Sequence, residues 1–146
     1  MRVKIKLLKE GAKLPSYQSE FASAADLYAA VDTPLTIPAG GRARVPTGIA
    51  IECERVDIAA VICARSGLAA KHGITLANGI GVVDPDYRGE IMVALMNVSD
   101  TDYQVQPGER IAQLMLVPVL RGEFEISESL NDTERGAGGF GSTGKA

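Results

Sequence analysis

Short runs of alternating apolar and polar residues dominate this chain. In the first run, residues 3–8, valine, isoleucine and leucine alternate with lysines, a pattern that predicts a β-strand with one buried face. Similar runs occupy residues 42–52, 56–64, 74–76, 81–83, 90–98, 110–119 and 124–126. Turn residues separate them roughly every 8–12 positions, which predicts an all-β domain built as a β-sandwich, jelly roll or barrel.

One short helix and one glycine-rich tail complete the predicted organisation. The helix covers residues 67–72, with Ser66 placed as its N-cap. Residues 1–130 show no repeat or linker and are predicted to form one β domain. Residues 131–146 contain five glycines among Ser, Thr and charged residues, which predicts a flexible tail. Phe140 favours a second interpretation, in which this tail docks on the domain.

Composition narrows the classes of partner and location. The formal charge of −3 argues against nucleic-acid binding, which needs a basic face. No apolar run approaches the ~20 residues of a membrane span, and the N-terminus lacks a signal-peptide core, so we expect a cytoplasmic protein. Cys53 and Cys63 are predicted to be buried, reduced thiols, and a single histidine argues against zinc.

The segment 81–91 carries more chemistry than a simple chain reversal requires. Between two apolar runs it places, in order, Asp84, Pro85, Asp86, Tyr87, Arg88 and Gly89. Proline and glycine predict a tight hairpin. A carboxylate and a ring in such a turn fit a general base beside a flat or sugar-like ligand. A charged, solvated turn is the alternative, and spacing does not choose between the two aspartates as the working base.

Three further features suit a phosphorylated ligand, each with a structural alternative. Arg65, Ser66 and Gly67 lead into the short helix and could bind phosphate or form a simple cap. Asp26 lies among small apolar residues, so a buried charge there needs an arginine or a Mg²⁺ ion as partner. Gln113 lies in an apolar strand and needs hydrogen-bond partners, from the backbone or from a ligand.

Taken in order, these segments resemble the five motifs of the trimeric deoxyuridine triphosphatase (dUTPase) family. The motifs are Ala-Ala-Asp-Leu at 24–27; Ala-Arg-Ser-Gly-Leu-Ala-Ala-Lys-His-Gly-Ile at 64–74; Asn78 with residues 81–91; Pro-Gly-Glu-Arg-Ile-Ala-Gln-Leu at 107–114; and the glycine-rich stretch 135–144. Each motif is weak alone, but five in the family's order and spacing are specific.

The resemblance implies a jelly-roll-like subunit that assembles as a three-fold homotrimer with active sites at subunit interfaces. It also implies Mg²⁺-assisted hydrolysis of dUTP to dUMP and pyrophosphate, the reaction of a dUTP diphosphatase. That reaction keeps uracil out of DNA and supplies the precursor of dTMP.

The resemblance further assigns residues to roles. Asp84 would activate the attacking water, Tyr87 would pack on the deoxyribose, and Asp26 would hold Mg²⁺ through water. The uracil would be read by Asn78 and by backbone groups near Gly81 and Ile91. The phosphates would be bound by Arg65, Ser66, Gly67 and Gln113. The tail, residues 131–146, would close over the site as a lid. In it, Arg135 would reach the γ-phosphate, Phe140 would cover the uracil, and Gly141 would also contact the substrate.

Two rival interpretations have different consequences. The related dCTP deaminases share the fold and trimer, but that resemblance would require a catalytic glutamate and Arg-Ser-Ser where this chain has Arg65-Ser66-Gly67. A non-catalytic β-sandwich that binds nucleotides or proteins would leave Asp84 as a plain turn carboxylate. The products formed from dUTP and dCTP distinguish these possibilities.

Overall fold

The computed structural model describes residues 1–139. Across them run eleven strands and one short helix. The strands are β1 (Val3–Leu7), β2 (Ala25–Tyr28), β3 (Leu35–Ile37), β4 (Arg42–Pro46), β5 (Ile49–Cys53), β6 (Ile58–Cys63), β7 (Ile74–Leu76), β8 (Gly81–Val83), β9 (Met92–Asn97), β10 (Tyr103–Val105) and β11 (Arg110–Pro118), and the helix is α1 (Ser66–His72). The all-β prediction is confirmed.

The strands pair antiparallel in four groups. The largest has the order β2-β11-β6-β8, and a second has the order β4-β9-β7. Two ladders, β1-β5 and β3-β10, complete the set. Strands distant in sequence are therefore neighbours, as connections in a sandwich require.

Alternate side chains of these strands fill a single apolar core. In β9, for example, Val93 and Leu95 are buried, while Ala94 and Met96, which alternate with them, are partly exposed. Side chains from all four groups meet in one cluster, including Leu27, Ile37, Val45, Ile49, Ile62, Leu95 and Ile111. Burying such alternating faces is the main favourable contribution to folding, and it holds the connecting loops in place.

Several predicted strand bounds differ from the structure. The run 42–52 divides into β4 and β5, because Gly48 adopts a left-handed φ of +69° and turns the chain. The short strands β2, β3 and β10 were not predicted. The predicted strand at 124–126 was wrong, because these residues pair with no strand among residues 1–139.

The prediction of a hairpin at 81–91 was also wrong. β8 pairs with β6, whereas β9 pairs with β4 and β7. Residues 84–91 therefore connect two different sheets instead of turning one strand back on itself. This crossing leaves a gap between β8 and β9.

The helix begins one residue earlier than predicted. Ser66 is its first residue, Arg65 occupies the N-cap, and no side chain caps that end. Gly73 ends the helix in the left-handed conformation, with its N–H bonded to the Ala69 carbonyl, as glycine at this position commonly does.

Three remaining predictions concern the cysteines, the tail and membranes. Cys53 and Cys63 are unpaired and only half-buried, although burial still raises the pKa of the Cys53 thiol.

β11 ends at Pro118, and residues 120–137 are exposed. Within residues 1–139, no helix has the length and apolar character needed to cross a membrane.

Candidate active site

A pocket of about 340 Å³ opens in the gap between β8 and β9. It is lined by Arg44, Ile62, Leu76, Asn78, Gly81, Val82, Val83, Asp84, Tyr87, Glu90, Ile91, Met92, Val93 and Ala94. Its volume suits a small ligand. The pocket brings together five residues predicted from the sequence, Asn78, Gly81, Asp84, Tyr87 and Ile91.

The structure separates the two aspartates that spacing could not. Asp84 follows β8 directly and lines the pocket. Asp86 lies instead in a different groove, beside Val56 and Leu120. Both carboxylates are exposed, but only Asp84 borders the space where a ligand could bind.

Tyr87 is held on the pocket wall by one backbone and one side-chain hydrogen bond. Its N–H donates to the Asp84 carbonyl at 3.1 Å, which forms a tight turn. Its hydroxyl donates to the Glu90 carbonyl at 3.0 Å. The ring remains about half exposed, at 47%, so one face is free for a ligand.

On β8, the backbone that faces outward belongs to Val82. In an antiparallel ladder, successive residues direct their backbone groups to opposite sides. The Val119 N–H donates to the Asp57 carbonyl at 2.9 Å, so odd-numbered residues of β6 bond to β11 and even-numbered ones bond to β8. Gly81, paired with Ile62, is thereby engaged within the sheet. Val82 directs its N–H and C=O away from the edge.

At the start of β9, the same alternation leaves the backbone groups of Met92 available to a ligand, whereas those of the predicted Ile91 are engaged. The Ile91 N–H donates to the Ile49 carbonyl at 2.9 Å, and the Ile91 carbonyl accepts from the Thr47 hydroxyl at 2.6 Å. Both backbone groups of Ile91 are thus used by the fold. Met92 directs its own groups to the other side of β9, where β7 has already ended at Leu76. Sequence reasoning missed Val82 and Met92 because the alternation becomes known only with the pairing.

Asn78 lies in the turn between β7 and β8. The Gly79 N–H donates to the Leu76 carbonyl at 3.2 Å, and the Ile80 N–H donates to the Asn78 carbonyl at 2.8 Å. These bonds fix the turn, while the Asn78 side chain is exposed and lines the pocket. An amide here offers both a donor and an acceptor.

A second group of predicted residues surrounds Asp26. The Arg65 Nε donates to Asp26 Oδ1 at 3.2 Å, and the Arg110 Nη1 donates to Oδ2 at 3.0 Å. The Gln113 Nε2 lies 3.3 Å from Oδ1. The Asp26 side chain is only 2% exposed, so the two guanidinium groups compensate a charge that would otherwise be costly to bury.

Strand pairing explains why these residues meet. β2 and β11 place Asp26 directly opposite Gln113, and such facing side chains contact each other. Arg65 follows β6, the other neighbour of β11, and its Nη1 donates to the Arg110 carbonyl at 3.0 Å. The side-chain partner of Gln113 is thus the Asp26 carboxylate, where the sequence had left the backbone or a ligand as alternatives.

The turn before Arg110 is fixed by Glu109. The Glu109 carboxylate accepts from the Gln106 N–H at 2.8 Å and from the Tyr103 hydroxyl. Burial, reinforced by this neighbouring carboxylate, raises the pKa of Tyr103 beyond its usual range. The phenol therefore stays protonated as a donor, and Arg110 starts β11 from a defined position. Arg110 was missed from sequence, although a buried Asp26 already required a cationic partner.

Comparison with known proteins decides the family. A family model described as dUTPase matches residues 10–144. The deoxyuridine 5'-triphosphate nucleotidohydrolase of Desulfitobacterium hafniense (strain DSM 10664 / DCB-2) is 47% identical over 146 residues, covering 99% of this chain and 97% of that protein. The chain belongs to the dUTPase family. The Burkholderia multivorans protein of the same name is 44% identical over 147 residues, covering 99% of each chain.

The fold of this dUTPase-family chain has close likenesses among solved structures. The Staphylococcus bacteriophage 80alpha dUTPase G164S mutant with dUpNHpp superposes with a TM-score of 0.89 at 23% identity, covering 99% of each chain. At that identity the likeness concerns the fold alone, and it confirms the jelly-roll-like arrangement.

Within one chain, the predicted site residues fall into two separate groups. The pocket contains Asp84 and Tyr87, whereas the Asp26 cluster contains Arg65 and Gln113 and lines no part of that pocket. Ser66 and Gly67 are exposed at the start of α1.

The tail residues of the dUTPase motif lie outside both groups. Arg135 is exposed, and its Nε donates to the Gly138 carbonyl at 2.8 Å, within a turn of the tail itself. Phe140 and Gly141 lie outside the described residues, so their predicted roles stay predictions.

Proposed function

We propose that this protein hydrolyses dUTP to dUMP and pyrophosphate, with Asp84 activating the water that attacks the α-phosphorus. One observation carries the proposal: Asp84 and Tyr87 share a pocket flanked by outward-facing backbone groups, in a chain of the dUTPase family. The enzyme class is dUTP diphosphatase.

The base and sugar would occupy the pocket between β8 and β9. The backbone groups of Val82 and Met92 offer donors and acceptors to the edge of a uracil, and the amide of Asn78 adds to them. A slot bounded by backbone on both sides leaves little room for a 5-methyl group, which disfavours thymine. The Tyr87 ring would pack on the deoxyribose and exclude a 2′-hydroxyl.

Asp84 would orient and deprotonate the attacking water. A carboxylate accepts the hydrogen bond of a water molecule and can take up its proton as the new bond to phosphorus forms. Asp84 immediately follows a paired strand, so its backbone is well positioned. Phosphoryl transfer depends mainly on such positioning and on charge neutralisation.

The triphosphate would bind at the Asp26 cluster and the start of α1. Arg65 and Arg110 carry the positive charge, Gln113 adds an amide donor, and Ser66 and Gly67 are accessible beside them. Arginine is well suited to phosphate oxygens because its donors are arranged as a planar fork.

The residues fit a Mg²⁺ ion that arrives with the substrate. Among residues 1–139, no three His, Cys, Asp or Glu side chains form a metal cage, and Mg²⁺ commonly uses one carboxylate together with substrate phosphates and waters. Asp26 has about four acceptor positions, three of which receive Arg65, Arg110 and Gln113. One position remains for a water of the ion, and bound Mg²⁺ would neutralise phosphate charge.

The active form would be a homotrimer with shared sites. The pocket and the Asp26 cluster do not share a cavity in one subunit, so pairing the pocket of one subunit with the cluster of its neighbour would complete a site. The tail, with Arg135, Phe140 and Gly141, would close over the nucleotide as a lid and exclude water.

Removing residues 131–146 should leave the domain folded and lower turnover strongly.

The cellular setting follows from composition. The acidic charge of −3 favours neither nucleic-acid nor membrane association, and the cytoplasm is the proposed location. dUTP is the proposed small-molecule partner.

Hydrolysis in ¹⁸O-labelled water tests the proposed point of attack. Attack on the α-phosphorus places the label in dUMP and none in pyrophosphate, which mass spectrometry of the two products measures. A control incubates both products in labelled water with enzyme, to exclude later exchange. Label in the pyrophosphate would show attack on the β-phosphorus and refute the proposed point of attack.

A further inference from the structure

Gly89 is a glycine for a reason other than backbone conformation. Its φ lies outside the left-handed region, in contrast to Gly48 at +69° and Gly79 at +72°. The backbone at this position would accept an L side chain without strain. The need for glycine must therefore come from the space around it.

That space is filled by the ring of Tyr87. A Cβ built on Gly89 would lie 2.6 Å from Tyr87 Cζ and 3.0 Å from Cε2, and closer still to the hydroxyl oxygen. The three nearest atoms all belong to this one side chain. Contacts this short require the ring to move.

The ring is also tethered by a hydrogen bond to Glu90, the residue that follows Gly89. Its hydroxyl donates to the Glu90 carbonyl at 3.0 Å. Glu90 is itself anchored, because its Oε1 accepts from the Gly48 N–H at 2.8 Å, and the following residue, Ile91, bonds to Ile49. The acceptor that holds the ring is thus fixed to the packed fold on both sides.

We propose that Gly89 determines sugar specificity by seating the Tyr87 ring against the Glu90 carbonyl. The missing Cβ lets the ring pack against the chain at Gly89, and the hydrogen bond to the Glu90 carbonyl limits its movement. This inference rests on the proposed function, in which that ring borders the deoxyribose. Gly89 is a positioning residue, since it contacts the ring and not the substrate.

The substitution Gly89→Ala tests this inference through discrimination between dUTP and UTP. The added methyl displaces the ring and breaks the tether, so the ring no longer borders the 2′-carbon at a fixed position. We expect the ratio of kcat/KM for dUTP to that for UTP to fall at least about tenfold, the usual scale for a contact that excludes one group. A ratio that is unchanged or higher in the folded variant would overturn the inference.

A double-mutant cycle separates positioning from a general structural role. In a Tyr87→Ala background there is no ring to displace, so adding Gly89→Ala should leave the ratio unchanged. If Gly89→Ala lowers the ratio equally in both backgrounds, Gly89 acts independently of Tyr87 and the inference fails. Gly122→Ala is the matched control, since a Cβ there meets only an ordinary contact of 3.9 Å, and its ratio should equal that of the native protein.

Tyr87→Phe keeps the inference testable if Gly89→Ala does not fold, which thermal unfolding would reveal. It retains the glycine and the ring and removes only the tether, so the ratio should fall by about threefold or more, and an unchanged ratio overturns the role of Glu90. Failure of the proposed function is distinguishable, because the native protein would then release no pyrophosphate from dUTP.

Discussion

The assignment of the general base depends on the directions of two neighbouring carboxylates. Asp84 and Asp86 are two residues apart on an exposed connection, and both are plausible from sequence. The structure directs Asp84 to the pocket between β8 and β9 and Asp86 to a groove beside Val56. Their chemistry is identical, so a matched pair of substitutions isolates the effect of position.

Asp84→Asn should reduce kcat by about 10²–10⁴-fold, the usual contribution of a general base, while nucleotide affinity changes little. The amide is nearly isosteric but cannot take up a proton from water. Steady-state kinetics, together with calorimetric binding of a non-hydrolysable dUTP analogue, measure the two effects. Asp86→Asn is the control and should retain near-native kcat. An equal loss in both variants, or none in Asp84→Asn, would contradict the assignment.

Residue identities were more predictable than residue contacts. The sequence predicted Asp26, Arg65, Asn78, Asp84, Tyr87 and Gln113 as site residues through motif order, and the structure places each in the pocket or in the Asp26 cluster. Backbone contacts were not predictable. The shifts from Gly81 to Val82 and from Ile91 to Met92 follow from hydrogen-bond alternation, which requires the strand register.

At the scale of elements, the turn between β4 and β5 supports one wall of the pocket. The Thr47 hydroxyl donates to the Ile91 carbonyl, and the Gly48 N–H donates to the Glu90 carboxylate. A Cβ on Gly48 would lie 2.7 Å from the Ala12 Cβ and 3.0 Å from that of Ala30. Glycine is required here both by its φ of +69° and by close packing.

Gly48→Ala and Gly40→Ala form a matched pair that separates these two requirements. Both glycines have φ of +69°, but a Cβ on Gly40 meets nothing within 4 Å. Gly40→Ala should cost about 1–2 kcal/mol for the left-handed conformation alone. Gly48→Ala should cost about 1–3 kcal/mol more because of overpacking. Denaturant unfolding measures both, and equal losses would show that the Ala12 and Ala30 contacts relax without cost.

Element type was predictable where alternation was long, and connectivity was not. The strands near 3–8, 58–63 and 110–118 were evident from their apolar faces. The segment 81–91 suggested a hairpin because Pro85 and Gly89 provide local turn signals. Its two ends pair with β6 and β4 instead, and such long-range pairing is decided by the whole core and leaves no local signal.

At the scale of the whole molecule, the two halves of the proposed site do not share a pocket within one chain. Asp84 lies in the pocket, and Arg65 lies in the cluster around Asp26. In a ring of three identical subunits, each pocket could meet the cluster of the next subunit. The exposed apolar residues Leu120, Phe124 and Ile126 also lie beyond the last strand, where this subunit alone does not cover them.

Mixed trimers test whether the site is shared. Asp84→Asn and Arg65→Ala should each give nearly inactive homotrimers. Co-expressed in equal amounts and purified through both tags, the mixed trimers should recover about a third of native activity, because a closed ring that contains both variants has one junction in three where an intact pocket meets an intact cluster. Turnover of dually tagged, purified trimers measures the recovery, and each homotrimer is the control. No recovery would mean that both residues of a site come from one subunit.

The central claim is most directly tested by measuring pyrophosphate release from dUTP, dCTP, dTTP and UTP side by side with Mg²⁺ present. The account predicts rapid release from dUTP, because the slot fits uracil and Tyr87 excludes the 2′-hydroxyl, and release from the other three nucleotides slower by at least about 10²-fold. Ammonia should not form from dCTP. Equal release from dUTP and UTP, or ammonia from dCTP, would contradict the account.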